Sequence, residues 1–519
     1  MSTTALVEIL REPDAVRAFD ADGELPLDDD TVHLGTQLTG GVLRVTLSGS
    51  VPISRVMLRW RGDASAVRSY LPDAWERSYG DLAWLPERAE RVMPWSFVAT
   101  TGGGDRAVAV GYGVRVGPGA LCSWTADRSG VTLWADVRNG GTPIRLGGRT
   151  LAVCDVVMVE GAHGESAFAV QRRLCRAMSP APRLPGHPVY GANDWHYALG
   201  TSTARSILDL AEFTSRAALD RSNRPYVIID DGWSAGGLGH GPWIGNSRFG
   251  HLGELANRLR DSGVRPGLWY RPLTPLPEQR GRWRLGGTGA RAGVTDPSVP
   301  EVLASLGEQL RRFAGWGYEL VKHDFTVWDL MGRWGFQMGA TITDDGWSFA
   351  DRTRTTAEII TTLYGTLRAA SGPAILMGCN AFGHLVAGHA ELQRIGDDCS
   401  GRSWNRTRRM GVNALAFRAA QHEALYAVDA DIAPITPQLP WRRAAAWLHL
   451  LAASGTPAFT SVDPASRTPE VAAAVRDAFT LAAGRQELAE PLDWTTSATP
   501  SRWRLGTREQ DYDWYGPDG

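Results

Sequence analysis

Lysine is almost absent. The chain has 519 residues and 54 Lys plus Arg, yet reading along it finds only Lys322, so 54 − 1 leaves 53 arginines. Arginine has taken over almost everywhere that a generic positive charge is enough. An ammonium is a compact, rotatable point donor and a guanidinium a wide planar fork, so a tight polar pocket can require the former. Lys322 sits in Tyr318-Glu-Leu-Val-Lys-His-Asp324. This short apolar run ending in a carboxylate reads as a buried strand that delivers Lys and Asp to its C-terminal edge.

Other absences narrow the class. The five cysteines (Cys122, Cys154, Cys175, Cys379, Cys399) are odd in number, widely spaced and free of CxxC or Cys/His pairing. That pattern predicts a reduced, cytoplasmic chain without structural zinc. Net charge is −2 and no polybasic run occurs, which argues against nucleic acid as a partner. No stretch of about eighteen apolar residues is present, so no membrane span is expected. The opening MSTTALVEILREPDAVRAFD has neither a basic n-region nor an apolar h-region and does not read as a secretory leader. Tryptophan, by contrast, is abundant at 21 residues. Exposed aromatic faces stack on sugar rings and buried ones fill cores, so this richness only tilts the reading toward carbohydrate.

The length calls for two or three domains. Residues 1–162 read as an N-terminal β-sandwich. Gly41–Ser48, Arg55–Trp60, Arg106–Tyr112 and Val131–Val137 alternate or run apolar, with Gly-rich turns at Thr101–Gly104 and Asn139–Gly141. Residues 163–186 read as an amphipathic helix followed by a Pro-rich linker. From 187 to 483 the texture becomes strand–helix alternation. Eight apolar runs appear: Val189–Trp195, Tyr226–Asp231, Val264–Tyr270, Leu320–Asp324, Ala374–Cys379, Glu391–Asp397, Leu425–Asp431 and Ala458–Val462. Helical patterns at Ser202–Arg216, Leu252–Asp261, Pro300–Ala314, Arg352–Ala370, Ser403–Glu423 and Arg442–Ala453 lie between them. The count and size are those of a (β/α)8 TIM barrel, giving a multidomain α/β chain. Residues 484–519 read as a short C-terminal β segment, with strands at Ser501–Leu505 and Asp511–Tyr515 that pack onto the barrel.

Such barrels place their chemistry at the C-terminal strand ends. There the runs finish in Asp194, Asp230/Asp231, Arg271, Lys322/Asp324, Cys379/Asn380, Asp397/Asp398 and Asp431. Capping of the following helix is an equal explanation for Asp194 and Asp431, but only one of two neighbouring carboxylates can cap. Carboxylates around one ammonium suit chemistry on a polyol: Asp accepts from hydroxyls, and Lys donates while keeping a neighbouring Asp ionised. Side chains alternate along a strand, so Asp324 points the same way as Lys322. A retaining glycosidase needs one ionised carboxylate as nucleophile and a second carboxyl about 5–5.5 Å away as acid and base. Asp324 is the best nucleophile candidate on this geometry.

Asp230-Asp-Gly-Trp233, Lys322-His-Asp324 and Arg394-Ile-Gly-Asp-Asp398, preceded by Asn193-Asp-Trp195, occur in that order. In series they resemble the clan D glycoside hydrolases, closest to family 36 with its α-galactosidase and raffinose-synthase branches. The likeness spans roughly residues 187–480, and an N-terminal β-sandwich fits it too. It implies Asp324 as nucleophile, Lys322 on ring hydroxyls, Asp230 and Asp231 on the O4 and O6 side, and Arg394 near O2 and the acid/base. Asp194, Trp195, Trp233, Arg271, Cys379 and Asn380 complete the implied sugar site. For the acid/base, the Gly396-Asp397 pair points to Asp397, whereas four residues counted from Arg394 point to Asp398; the local context favours Asp397. The chain departs from family 36 at His323, at Tyr270-Arg-Pro-Leu273, at Gly378–His384 and at Asn-Asp-Trp. The machinery therefore matches better than the pocket, and the glycone is galactose or a galactose-like sugar.

The resemblance implies a retaining α-glycosidase acting on an α-linked oligosaccharide or glycoside, without cofactor or metal. A galactosyl-transferring transglycosylase and a non-catalytic carbohydrate-binding barrel are the alternatives, and a homo-oligomer is left open. Phe325–Arg352, with Trp328, Trp334, Trp347, Asp344 and Asp345, is too long for an ordinary connection and reads as a lid or subsite wall. His384 and His389 lack a third clustered ligand, so they predict no metal site. Asp296-Pro-Ser298 reads as a helix start.

Overall fold

The structure, a computed structural model, describes residues 10–516 except 28–30, 102–107, 221, 276–280, 287–290 and 292. The N-terminal region forms two six-stranded antiparallel sheets. One contains Arg55–Arg61, Leu121–Asp127 and Gly130–Asp136; the other contains Val42–Gly49, Ser96–Thr101, Val108–Val114 and Leu151–Glu160. Rings tie them together: Trp124 of the first lies 5.7 Å from Phe97 and 5.8 Å from Tyr112 of the second. Burying rings of this size removes about 150–250 Å² each from water, roughly 4–6 kcal/mol apiece at 25 cal/mol/Å². The expected strand at 106–112 is observed at Val108–Val114, and Gly102–Gly104 of the first expected turn lie outside the described residues.

Helix Ala167–Met178 follows, N-capped by Ser166, and lays Val170, Leu174 and Met178 on the second sheet. The close approach needs glycine there. A Cβ on Gly113 would sit 2.4 Å from Met178 Sδ.

The remaining fold is a nine-stranded parallel sheet with helices around it. All eight expected runs contribute a strand, and every strand residue but Arg265 is buried, which explains apolar runs without alternation. The seventh run differs from expectation. Ala427–Asp429 pairs with Leu392–Arg394 on one side, and Ile432–Ile435 then pairs with Ala458–Val462 on the other. Asp431 turns the chain between them with φ 68°. The two edges of the sheet are thus halves of one segment, which brings the sheet round into a barrel.

Helices are observed at Ala204–Ala217, Leu252–Asp261, Pro300–Gly315, Thr356–Ala370 and Trp441–Ala453. Pro469–Ala482, an Ala-rich helix not anticipated from the sequence, packs on both Trp441–Ala453 and Ala204–Ala217. The expected single helix Ser403–Glu423 is corrected to Trp404–Thr407, a π turn at Arg408–Val412, Asn413–Arg418 and a 3-10 turn. Crowding accompanies the break: Gly411 faces the Trp447 ring, where a Cβ would lie 2.7 Å away. After the fifth strand only the turn Gly383–Val386 is helical. The N-terminal sheets occupy that place, with Trp95 stacked on His384 at 4.9 Å and His384 Nε2 3.0 Å from Val114 O.

The tail forms a three-stranded sheet through Glu490–Pro491, Arg502–Leu505 and Arg508–Asp511. The expected strand at 511–515 is therefore displaced to 508–511. Tyr512 and Trp514 stack on each other at 5.0 Å, and the Trp404 indole donates to Trp514 O.

Candidate active site

Two cavities of about 380 Å³ open at opposite ends of the barrel. One lies at the N-terminal strand ends among Pro188, Val189, Gly455 and Pro457. The other gathers the strand-end carboxyls Asp230, Asp231, Asp324, Asp397 and Asp398 around Lys322, walled by Trp195, Trp269, Phe325, Trp334 and Phe336. Of the two, the second combines acids, a base and aromatic faces. It is the candidate site.

Asp324 follows strand Leu320–His323, and its N–H donates to Tyr270 O at 2.9 Å. Its Oδ1 accepts from the N–H groups of Phe325 (2.7 Å) and Asn380 (3.1 Å). Oδ2 accepts from the Trp269 indole at 3.2 Å. Burial alone would push the carboxyl up, but Arg77 and Lys322 outweigh it and hold Asp324 below the usual range. The result is an ionised carboxylate in a buried position, with Oδ2 its less engaged oxygen.

Lys322 Nζ donates to Asp230 Oδ2 at 2.8 Å, both side chains being 5% exposed. The same oxygen accepts from Asn193 Nδ2 at 2.7 Å, while Asp194 Oδ1 accepts from the Asp230 N–H at 2.8 Å. Burial opposes the charge on Lys322, yet Asp230 more than restores it and keeps the ammonium protonated. Burial, with the Asp230 charge behind it, lifts Asp194 to about 6; burial lifts Asp231 to about 7 although Gly239 and Gly232 N–H groups bind its Oδ1. His323 points the opposite way, against Tyr364, and burial lowers it to about 4, so its imidazole is neutral.

Strand six is short, Leu392–Arg394, and the carboxyl pair lies beyond it. Arg394 is 1% exposed and fully engaged: Nε on Asp429 (2.9 Å), Nη2 on Asp431 (2.5 Å) and Nη1 on Asp398 (3.1 Å). Asp431 Oδ2 also meets His196 Nε2 and the Cys399 N–H. Asp397 accepts from Arg406 Nη2 at 2.6 Å and lies 3.3 Å from Arg77 Nη2; its side chain is 16% exposed. Asp398 is 40% exposed to the cavity and ringed by protein elsewhere. The surrounding protein raises it above the ordinary carboxyl range, against the pull of Arg394 and Arg77, with Asp431 and Asp397 adding like charge.

Of the residues picked from sequence, Trp195, Asp230, Asp231, Lys322, Asp324, Asp397 and Asp398 line the cavity. The others stand behind it. Asp194 and Asn380 hold Asp230 and Asp324 through the bonds given above. Arg394 supports Asp398 from below. Trp233 is fully buried and bonds Trp269 O. Arg271 is taken up by Asp329. Cys379 is a buried thiol 3.9 Å from Arg77 Nη1, pushed up by burial. Trp334 stacks on Trp328 at 4.4 Å and meets Phe325 at 6.0 Å, so this part of the long loop forms a wall of the cavity. Trp347 instead packs beside Phe349, with Arg291 over its ring.

Sequence reading missed Arg77, Tyr79, Trp269, Phe336 and Arg406. Arg77 and Tyr79 come from the N-terminal sheets, where nothing local distinguishes them. Trp269 was inside a recognised strand, and period-two alternation with Tyr270 was the available signal. Among the described residues no three His, Cys, Asp or Glu side chains are grouped to hold a metal, and no helix is long and apolar enough to cross a membrane.

The fold is shared with solved α-galactosidases, among them a member of family 36. An α-galactosidase from Thermus thermophilus, solved with p-nitrophenyl α-D-galactopyranoside, is similar over 96% of this chain and 98% of its own, at TM-score 0.62 and 20% identity. A variant of the family 36 α-galactosidase AgaA from Geobacillus stearothermophilus, solved with 1-deoxygalactonojirimycin, matches 91% of this chain and 76% of its own, at TM-score 0.59 and 14% identity. No family model matches the sequence. The bifunctional α-galactosidase/sucrose kinase AgaSK of Mediterraneibacter gnavus is 27% identical over 137 residues, 24% of this chain and 14% of that protein.

Proposed function

We propose that the chain is a retaining α-glycosidase of α-galactosidase type, built on a (β/α)8 barrel with one broken strand and a β-sandwich before it. The observation that carries this reading is the ionised, buried Asp324 set beside Lys322–Asp230 in one cavity with a second carboxyl that is raised. Solved neighbours of the same fold hold galactosides, p-nitrophenyl α-D-galactopyranoside and stachyose. The reading extends those ligands' chemistry to this pocket.

In this mechanism Asp324 Oδ2 attacks the anomeric carbon as the glycosidic C–O bond breaks, and the leaving oxygen takes a proton from the acid/base. Water then gives a proton back to that group and attacks the anomeric carbon, freeing Asp324 with net retention. Lys322 and Asp230 hold ring hydroxyls. The geometry favours Asp398 over Asp397 as the acid/base, reversing the preference drawn from Gly396-Asp397. A general acid must carry its proton in the free enzyme. Asp398 is raised and lines the cavity, whereas Asp397 is held more closely by its cations: 2.6 Å from Arg406 and 3.3 Å from Arg77, against 3.1 Å from Arg394 and 3.6 Å from Arg77 for Asp398.

A panel of p-nitrophenyl α- and β-glycosides, with the product anomer followed by NMR, tests the reading. Cleavage of the α-galactoside with retention is expected; inversion, or turnover of β-galactosides alone, refutes it.

A further inference from the structure

Segment 73–80 leaves the second N-terminal sheet after Val67–Pro72 and enters the barrel mouth. Ser78 forms a parallel bridge with Gly396: its N–H donates to Ile395 O at 2.8 Å, and the Asp397 N–H donates to Ser78 O at 2.8 Å. Arg418 braces both sides, with Nη1 donating to Glu76 O (2.6 Å) and Ile395 O (2.9 Å) and Nε 2.8 Å from Asp73. Gly80, at φ 70°, closes the segment against Arg409, whose carbonyl would lie 2.8 Å from any Cβ there. The N-terminal sheets thus add backbone pairing to the stretch that carries the strand-six carboxyls.

This docking sets Arg77 4% exposed between Asp397 (3.3 Å) and Asp398 (3.6 Å), with Glu76 behind it at 3.3 Å. Glu76 is held in turn by Tyr79, Asn380 and the Gly335 N–H. We propose that Arg77 is a positioning residue for the double displacement: its guanidinium spans the strand-six carboxyls, aims Asp398 at the leaving oxygen and supplies positive potential at Asp324. The proposal rests on the glycosidase reading. Asp398 has like-charged neighbours in Asp397 and Asp431, and the Arg77 guanidinium between Asp397 and Asp398 offsets the repulsion of that pair. Arg394 holds Asp398 from below, and Arg77 holds it from the opposite domain. Arg406 binds the Asp397 carboxylate and, of Asp398, only the backbone carbonyl, so it does not substitute. Asp324 faces Arg77 and Lys322 as its cations, and Arg77 is the larger influence opposing burial.

The test compares wild type, Arg77→Met and Arg77→Lys in the full chain. Carboxyl carbon NMR titrations of Asp324 and Asp398, assigned with Asn variants, are read beside the pH profile and leaving-group dependence of kcat/KM. Arg77→Met is expected to move both titrations, and both limbs of the pH profile, upward by roughly half a pH unit or more, and to slow poor leaving groups more than good ones. Arg77→Lys keeps charge but not the fork, so it should restore the Asp324 titration while remaining slow on poor leaving groups. A folded Arg77→Met variant with unmoved titrations, or a rate loss equal for all leaving groups, overturns the proposal. If Arg77→Met does not fold, wild-type kinetics in Arg77→Lys overturn it. Shifted titrations in a chain whose wild type cleaves no α-glycoside would sink the glycosidase reading and keep the electrostatic role.

Discussion

Replacing Asp324 by alanine removes the cavity carboxylate that combines burial, ionisation and an available oxygen. A loss of at least about a thousandfold in kcat, about 4 kcal/mol of barrier, is expected, with azide restoring turnover to a product of inverted configuration. Retained activity would exclude the role. Lys322→Arg keeps the charge, but a planar fork cannot occupy a buried site whose partner oxygen lies 2.8 Å away and is shared with Asn193. Kinetics should show roughly a hundredfold loss or more, about 2.7 kcal/mol. The two carboxyls of strand six separate by leaving group. Asp398→Ala should spare good leaving groups in the first step and slow deglycosylation, while Asp397→Ala should depress all substrates together by loosening Arg77 and Arg406. The opposite pattern would return the role to Asp397. At this scale the sequence pointed to residues that the fold gathers at the cavity, because a lone lysine two positions before an aspartate is visible without a fold. It ranked Asp397 ahead of Asp398 on local context alone, without sight of the guanidinium groups that remote segments bring to each carboxyl.

Elements decide how the cavity is walled. The loop from Phe325 to Arg352 is pinned to the N-terminal sheets where Arg138 meets Asp345 at 2.8 Å and Gly141 N donates to Trp347 O at 2.9 Å. Gly141 has no room for a side chain: a Cβ would fall 2.0 Å from Asp344 O, a backbone atom. Gly141→Ala must therefore displace the loop and, through it, the Trp334 and Phe336 wall. A rise in KM with kcat little changed, and a stability loss of about 1–3 kcal/mol, are expected from steady-state kinetics and thermal melts. An unchanged KM would show that the pinned end does not set the wall. The loop itself was legible from its length. Its attachment was not, because Asn139-Gly-Gly141 looks like any hairpin turn until Trp347 is seen on top of it.

Across the whole molecule, the raised carboxyls of the site burden the folded state in one pH range. Asp231 stands at about 7 against about 4 for an unfolded carboxyl. Below pH 4 both states hold the proton and there is no difference; from pH 4 to 7 the unfolded chain releases it first, so stability falls; above 7 the full penalty persists. Asp231→Asn keeps Oδ1 for the Gly232 and Gly239 N–H groups and removes the charge. Its melting temperature should exceed wild type at pH 8 and match it at pH 4. A gain of equal size at both would trace the effect to packing. Asp431 has the opposite sign: burial raises it, but Arg394 and His196 outweigh that and depress it. Its contribution is present above pH 4 and lost as pH falls below the unfolded value.

By itself the sequence determined the order and kind of the elements and the residues able to do chemistry. Seven of the eight apolar runs ended in polar residues because parallel strands buried on both faces must be continuously apolar until they reach the mouth. Those are local, periodic signals. Tertiary structure alone decided the joins: the bend at Asp431 that lets one segment form both edges of the sheet, the helix Pro469–Ala482 whose alanine-rich pattern has little contrast between faces, and the π turn at Arg408–Val412. It also decided that Arg77, some 320 positions from Asp397 in the chain, lies 3.3 Å from that carboxylate. No period or spacing encodes such a contact. It exists because segment 73–80 pairs with the backbone beyond strand six, and a backbone bond of that kind carries no residue signature.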